Sequence, residues 1–377
     1  MPSISFDLQG PGSVAEALGV LAGIIFVHEC GHFGAARWLG VHVTKFAVGF
    51  GPRLLSFRDE SVEYSLGLVP LGGFVAFPDD DPESPFEPDD PDLLRNRPLA
   101  HRAAVVSAGV VANVIFAFAL LTTQALTVGQ LQTTYLPGVK VPQLLGVSAA
   151  ERAGVRAGDI ITAIDGEEVR ATADSVARLV EQIKNSTPAT PLSVRVLRGQ
   201  TPLTFTVTPV AGNGGGRIGV QLEANTSVSH LRASGFGQAV SMATADFKRL
   251  TGVVTHGLSE IVLNFSETFD QVSGPVAIVA VGAQVARGDP AGIFQFASVI
   301  NINLAVVNML PLPALDGGFL ALLALEAARG GKKLPVEVEQ TIMGSGLLLL
   351  IVSGVGLLVR DTLHLDFVKD AIDALLR

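Results

Sequence analysis

Apolar residues fill four stretches of the chain long enough to cross a bilayer core of ~30 Å, which takes roughly 20 helical residues. The first runs from about Val14 to Trp38 and is interrupted by His28, Glu29 and His32. The second runs from about Ala103 to Val128, and no charged residue occurs between Ala103 and Gly138. The third is about Ile293 to Leu310, and the fourth is Thr341 to Val359, bounded by Glu339 and Arg360. Gly274 to Ala286 is apolar but too short to span, and reads as interfacial or re-entrant. The segment at about 240–269 carries apolar residues at helical spacing with Glu260 and Glu267, which predicts an amphipathic helix along the surface.

Between the second and third spans the pattern becomes that of a small soluble domain, about 140–225. Ser193–Leu197 and Leu203–Val207 alternate apolar and polar residues across a short turn, which predicts a hairpin. Ser175–Lys184 predicts an amphipathic helix, and Asn213–Arg217 a flexible turn. The stretch Ala149-Ala-Glu-Arg-Ala-Gly-Val-Arg-Ala-Gly-Asp-Ile-Ile-Thr-Ala-Ile-Asp-Gly166 resembles the core signature of PDZ domains. The loop at 41–77 is too apolar for an exposed connection and reads as β-like. Non-helical backbone at membrane depth is tolerated where it lines a polar cavity. The acid- and proline-rich run 79–92 reads as a solvated linker, without the glycine and closing glutamate of a calcium loop.

Composition supports the membrane reading. Of the 377 residues only 16% are charged, against about 25% in soluble domains, and the mean hydropathy is +0.46. A net charge of −9 argues against nucleic acid as a partner. The single cysteine, Cys30, excludes an internal disulfide. No Lys or Arg precedes Arg37, which speaks against a cleavable secretory signal, and no Arg- and Ser-rich transit peptide is visible.

His28-Glu29-Cys30-Gly31-His32 is an H-E-x-x-H motif. Residues four apart share a helix face, so both imidazoles can reach one zinc ion with Glu29 beside it as a base. Each such group costs about 2.5–3.5 kcal/mol if charged at the centre of a span, so function is the default reading. His42, His101, His230, His256 and His364 show no such pairing and read as surface or loop residues. Catalytic zinc usually has three protein ligands. The best third ligand is Asp316, the only acidic residue between Asp289 and Glu326. Pro311 and Pro313 just before it would break the helix and open the backbone.

H-E-x-x-H together with Asn308-Met-Leu-Pro-Leu-Pro-Ala-Leu-Asp-Gly317 resembles the site-2 protease family of intramembrane zinc metalloproteases. The order of spans, apolar loop and PDZ insert matches over nearly the whole chain. The resemblance implies a membrane α-helical fold of four transmembrane helices, with a membrane-associated β-rich loop and one inserted α+β PDZ domain. It implies zinc on His28, His32 and Asp316, Glu29 as catalytic base, and Asn308 holding the substrate backbone, with Pro311 and Pro313 counted in the same substrate-binding motif. Ser107–Asn113 and Ser273–Ile278 also fit the family, although many relatives have proline where this chain has Val110. The stretches 62–78 and from Gly282 onward look most similar to the plastid and cyanobacterial branch with one PDZ domain.

The implied activity is hydrolysis of peptide bonds in transmembrane substrates, in a chloroplast envelope or thylakoid membrane or else a cyanobacterial one. The implied partners are transmembrane proteins, the bilayer, and substrate C-termini at the PDZ domain. Lys45, Arg53, Arg58, Arg95, Arg97 and Arg102 in the first loop and Arg329, Lys332 and Lys333 in the third predict that these loops face the cytoplasm or stroma. The PDZ domain and both termini would face the other side, with the zinc site toward the cytoplasmic half. A catalytically silent PDZ scaffold is the main alternative, but it predicts a missing ligand where all are present. A transporter would show internal repeats, and none is visible.

Overall fold

A computed structural model describes residues 11–363, apart from 60, 81–83, 85, 147, 213–214, 265–273 and 289. Glu267, Ser273, His364, part of the acidic run and part of the turn at 213–217 lie outside the described residues. The chain divides into two compact units, 130–231 and the remainder.

The larger unit opens with α1 (Pro11–Trp38), which contains the H-E-x-x-H motif two-thirds of the way along. Two long irregular strands follow, β1 (Lys45–Arg58) and β2 (Glu63–Ala76). Each bends and contributes twice to one small sheet. Residues 45–48 pair in parallel with 63–66, and on their other side they pair with 76–73 running in the opposite sense. Residues 53–58 return along 67–63. The segment 73–76 is therefore an outer edge, and no described strand pairs with its far side. Phe46, Val48 and Val62 bury against Ala36 of α1. The acidic run is better anchored than its composition suggests. Asp79 accepts from the amides of Leu94 and Arg95, and Phe86 stacks on His42. Helix α2 (Leu99–Leu126) then packs along α1.

The smaller unit is an antiparallel sheet with two helices. Its elements are β3 (Gln130–Lys140), α3 (Ala149–Arg152), β4 (Ile160–Ile164), β5 (Glu167–Glu168), α4 (Ser175–Asn185), β6 (Leu192–Arg198), β7 (Thr201–Val207), β8 (Val210–Gly212), β9 (Gly215–Arg217) and β10 (Glu223–Leu231). The sheet order is β10-β3-β4-β6-β7, with β5 beside β4, while β8 and β9 form a separate pair. The predicted hairpin is present as β6 and β7, with Val194 opposite Phe205. Leu179 and Ile183, four apart on α4, join Val139, Ile161, Val194 and Val196 in the core. The long β3–β10 pairing begins upstream of residue 140 and extends past residue 225, with Gln130 opposite Leu231. The unit therefore begins and ends at one place.

Returning to the larger unit, α5 (Phe236–Leu263) covers the segment expected at 240–269. It is not a free surface helix, because Ala243, Leu250 and Phe247 pack on Ala117, Phe118 and Leu121 of α2. Helix α6 (Pro275–Ala286) is the short apolar run, and its buried Ala277, Ala280 and Ala283 place it within the helix packing. Its N-terminus is held by the buried Asp361, which accepts from the Ala277 amide at 3.0 Å. Helix α7 (Pro290–Asn308) is followed by a break and then by α8 (Asp316–Ala328), which lies where the hydrophobic pattern predicts a loop between the third and fourth spans. Helix α9 (Val336–Leu363) ends the described chain, and its apolar side chains from Leu347 to Val359 are mostly exposed. Among the described residues α1, α2, α7 and α9 are long and apolar enough to cross a membrane.

One buried charge in the smaller unit generates a test. Asp159 is 1% exposed and accepts from Arg198 Nε at 2.8 Å, Arg198 Nη2 at 2.9 Å and the Arg156 amide at 2.9 Å. Burial alone would raise its pKa, but the guanidinium and the amide outweigh burial and hold the carboxyl below the usual carboxylate range. A depressed folded pKa gives stability that is present above the unfolded value near 4 and is lost as pH falls through the folded one. Asp159→Asn should cost about 2 kcal/mol at pH 7. Amide hydrogen exchange across 150–207 in the full chain should quicken roughly 30-fold, and the difference from wild type should shrink below about pH 4. Equal exchange at pH 7 would show that the pair contributes nothing.

Candidate metal centre and its cavity

The four-residue spacing on α1 stacks His28 over His32, with ring centroids 4.7 Å apart and planes at 86°. Their Nε2 atoms converge to 3.2 Å. Asp316 reaches the same point from the first turn of α8, with Oδ2 3.4 Å from His28 Nε2 and 3.5 Å from His32 Nε2. That Oδ2 is buried and has no hydrogen-bond partner. Donors at 2.0–2.1 Å from a tetrahedral zinc stand roughly 3.3 Å apart. The three separations therefore fit one ion, and the orphaned oxygen could serve as one of its ligand atoms.

Helix α2 sets the imidazoles. The Val105 carbonyl lies 2.9 Å from His32 Nδ1. A carbonyl only accepts, so this nitrogen carries the proton and leaves Nε2 with a free lone pair. The Asn113 amide lies 3.1 Å from His28 Nδ1. Between them Gly109 leaves room for both rings, since a Cβ there would fall 2.3 Å from His32 Nε2 and 2.7 Å from His28 Cε1.

Glu29 is 7% exposed and faces the edge segment of β2, where a Cβ on Gly73 would lie 2.9 Å from Glu29 Cγ. Asn308, the last residue of α7, puts Nδ2 3.3 Å from His28 Nε2. After it the chain runs irregularly to Ala314, whose φ of 71° is the left-handed region that a non-glycine residue rarely adopts. The strain sits two residues before Asp316, where the helix restarts. A cavity of about 770 Å³ opens on this group and is lined by His28, Glu29, His32, Gly72, Gly73, Asn308 and Asp316 among others. Arg102 and Glu326 meet in its wall through two hydrogen bonds of 2.8 and 2.5 Å, tying the far end of α8 to the start of α2.

Of the residues predicted from sequence, His28, Glu29, His32, Asn308 and Asp316 come together. Pro311 and Pro313 are not among the described residues lining the cavity. Pro311 is exposed, and Pro313 packs against Gly346 of α9. The sequence reading gave no part to Gly109, to the Val105 carbonyl or to Gly73. Asn113, within the stretch Ser107–Asn113 named above, also carries a signal of its own, as an amide in a charge-free span. His42, expected as a surface or loop residue, does lie in a loop, 3.6 Å from Asp90, and groups with Asp90 and Asp92. Arg97 already neutralises Asp92 at 2.6 Å.

Residues 16–353 match the model of Peptidase family M50. This chain belongs to that family. The membrane metalloprotease ARASP, chloroplastic, of Arabidopsis thaliana is 50% identical over 97% of this chain and 82% of its own length. A protein of Synechocystis sp., named as a candidate zinc metalloprotease, is 46% identical over 94% of this chain and 95% of its own. The PDZ domain of an SdrC-like protein from Listeria monocytogenes aligns at 22% identity with 22% of this chain and 86% of its own, at a TM-score of 0.20.

For this M50 peptidase, Gly109→Ala should drive the two rings apart. Zinc bound per chain should fall when measured by metal analysis after dialysis against a weak chelator. Full zinc occupancy in the alanine variant would mean that the rings do not need this gap.

Proposed function

We propose that this zinc metalloprotease cuts peptide bonds of transmembrane substrate proteins within the membrane. The observation that carries the reading is the convergence of His28, His32 and Asp316 beside Glu29, inside apolar helices and against an unpaired strand edge. The names of its relatives support a chloroplast membrane or else a cyanobacterial one, and in a chloroplast the reading allows either envelope or thylakoid.

His28 and His32 through Nε2 and Asp316 through Oδ2 would hold the zinc. Zinc, when bound, supplies a Lewis acid that acidifies water toward a pKa near 7 and polarises a carbonyl. Glu29 accepts the proton of the attacking water and returns it to the leaving amine nitrogen. A transmembrane helix has its amides paired internally, so the substrate must unwind to be cut. Segment 73–76 offers free backbone groups on which an unwound strand can pair, and Asn308 offers an amide on the other side of the site. Ile25, Phe74, Val75 and Leu304 give the cavity apolar walls that limit stray water.

Glu29→Gln tests the base. It should keep zinc and fold while lowering cleavage of a transmembrane substrate in proteoliposomes by at least about 100-fold. Near-wild-type cleavage would remove Glu29 from the mechanism.

Unit 130–231 we read as a PDZ domain, supported by the signature at 149–166 and by α4 packed on an antiparallel sheet. None of the clustered residues belongs to it. Its role in this reading is to hold back substrates with large outer domains, by size or by binding an exposed C-terminus. Gln130 and Leu231 are strand partners, so a short flexible linker can replace the whole unit. The shortened enzyme should cut a substrate with a bulky folded outer domain that the full chain spares, and should still cut a trimmed one. A bulky substrate that stays uncut while the trimmed one is processed would rule out the filter.

A further inference from the structure

An imidazole can bind a metal through Nε2 only if that atom is free of its proton. In the neutral ring the proton then sits on Nδ1, which needs an acceptor. His32 has one in the Val105 carbonyl. For His28 the side chain facing Nδ1 is that of Asn113, with its amide nitrogen at 3.1 Å, and the Gly109 carbonyl one turn earlier on α2 also lies within hydrogen-bonding reach of the ring. That orientation makes Nδ1 the acceptor and sends the proton to Nε2, the atom that points at Asp316. It also leaves Asn113 Oδ1 buried without a partner, in a residue that is 0% exposed. Turning the amide by half a rotation exchanges its oxygen and nitrogen within the same volume. The oxygen then accepts from His28 Nδ1–H, and the nitrogen becomes the buried donor.

Helix α7 is bonded to α2 at the same residue. Asn301 donates through Nδ2 to the main-chain carbonyl of Asn113 at 2.7 Å, while the Asn113 side-chain oxygen is untouched by it. Asn301 Oδ1 and Ser298 Oγ are buried acceptors that lack partners among the described residues. Both residues are 0% exposed. Ser298, Asn301 and Asn308 fall on one face of α7 at spacings of three and seven. A polar column thus runs down an apolar helix toward His28. Burying such groups is costly unless each finds a partner.

We infer that Asn113 is the positioning residue for His28: its Oδ1 accepts from Nδ1–H and fixes the ring in the tautomer that presents a free Nε2, while Asn301 fixes Asn113. The inference rests on the reading of His28 as a zinc ligand. The two imidazoles are then held alike, each through Nδ1 by an oxygen of α2, one from the backbone and one from a side chain. Loss of such a partner typically lowers metal affinity 10- to 100-fold.

Zinc affinity of the purified full chain, measured by competition with a chromophoric chelator, tests the inference without reference to activity. Asn113→Leu should bind zinc at least about tenfold more weakly. Asn113→Asp should bind at least as tightly as wild type, because a carboxylate accepts a hydrogen bond but cannot donate one. The aspartate variant decides the question even if the leucine variant does not fold. Weakened binding in Asn113→Asp, or unchanged binding in a folded Asn113→Leu, would overturn the inference. His28→Ala is the control. If it binds zinc like wild type, the ligand assignment itself falls and the inference falls with it. If it loses zinc while Asn113→Leu does not, only the role of Asn113 is lost.

Discussion

Polar groups buried inside an apolar helix bundle are costly unless each finds a partner there. That constraint organises the larger unit. Two imidazoles and two carboxylates sit among helices whose other buried residues are mostly alanine, valine, leucine and isoleucine. His32 is met by a backbone carbonyl and His28 by an amide, while Asp316 Oδ2 faces both rings at 3.4 and 3.5 Å without a hydrogen bond. Each contact needs close approach of helices. The positions that allow it are small, such as Gly109 on α2 and the buried alanines of α5 and α6.

The break between α7 and α8 follows from the same demand. Asp316 must come from the side opposite α1, and a continuous helix through 290–328 would carry it past the site. Pro311 and Pro313 remove amide donors and stop α7 at Asn308. The restart costs a left-handed residue at Ala314, on the order of 1–2 kcal/mol for an L-residue. The return is a carboxylate in the first turn of a new helix, where the positive end of the dipole favours negative charge. At its other end α8 is tied down by Glu326 on Arg102, so Asp316 is carried on an element fixed at both ends.

The spans and the metal motif were legible because each is local. Hydrophobic length gives a crossing helix, and a four-residue spacing gives two ligands on one face. Asp316 was legible as a lone carboxylate in an apolar stretch. What could not be read depends on contacts between distant residues. The free edge at 73–76 exists because 45–48 is shared by two partners, and no window of sequence states that register. The Val105 carbonyl has no sequence signature, since every residue has a carbonyl. Helix α8 was hidden because two prolines and two glycines flank its start and read as turn. Composition marks the acidic run as a solvated linker but cannot foresee Asp79 accepting from the amides of 94 and 95.

The insertion of a whole domain between α2 and α5 raises the question of why the membrane half still assembles. The answer lies at the base of β3 and β10. Gln130 and Leu231 face each other, so the inserted unit returns the chain to where it left. Just inside that point the Ala233 amide donates to the Ala125 carbonyl at 2.9 Å, and Arg232 donates to the Leu126 carbonyl at 3.0 Å. The end of α2 is thereby stitched to the segment leading into α5. Closure entropy grows only as the logarithm of loop length, about 0.6 kcal/mol per doubling. A folded insert with adjacent ends reduces the effective loop further, to the few residues that flank the ribbon. The packing of Phe118 on Phe247, which joins α2 to α5, is then little weakened by the residues that separate them in sequence. A domain can therefore be placed at this point of the chain while the Asn113–Asn301 contact, and with it the metal centre, keeps its geometry.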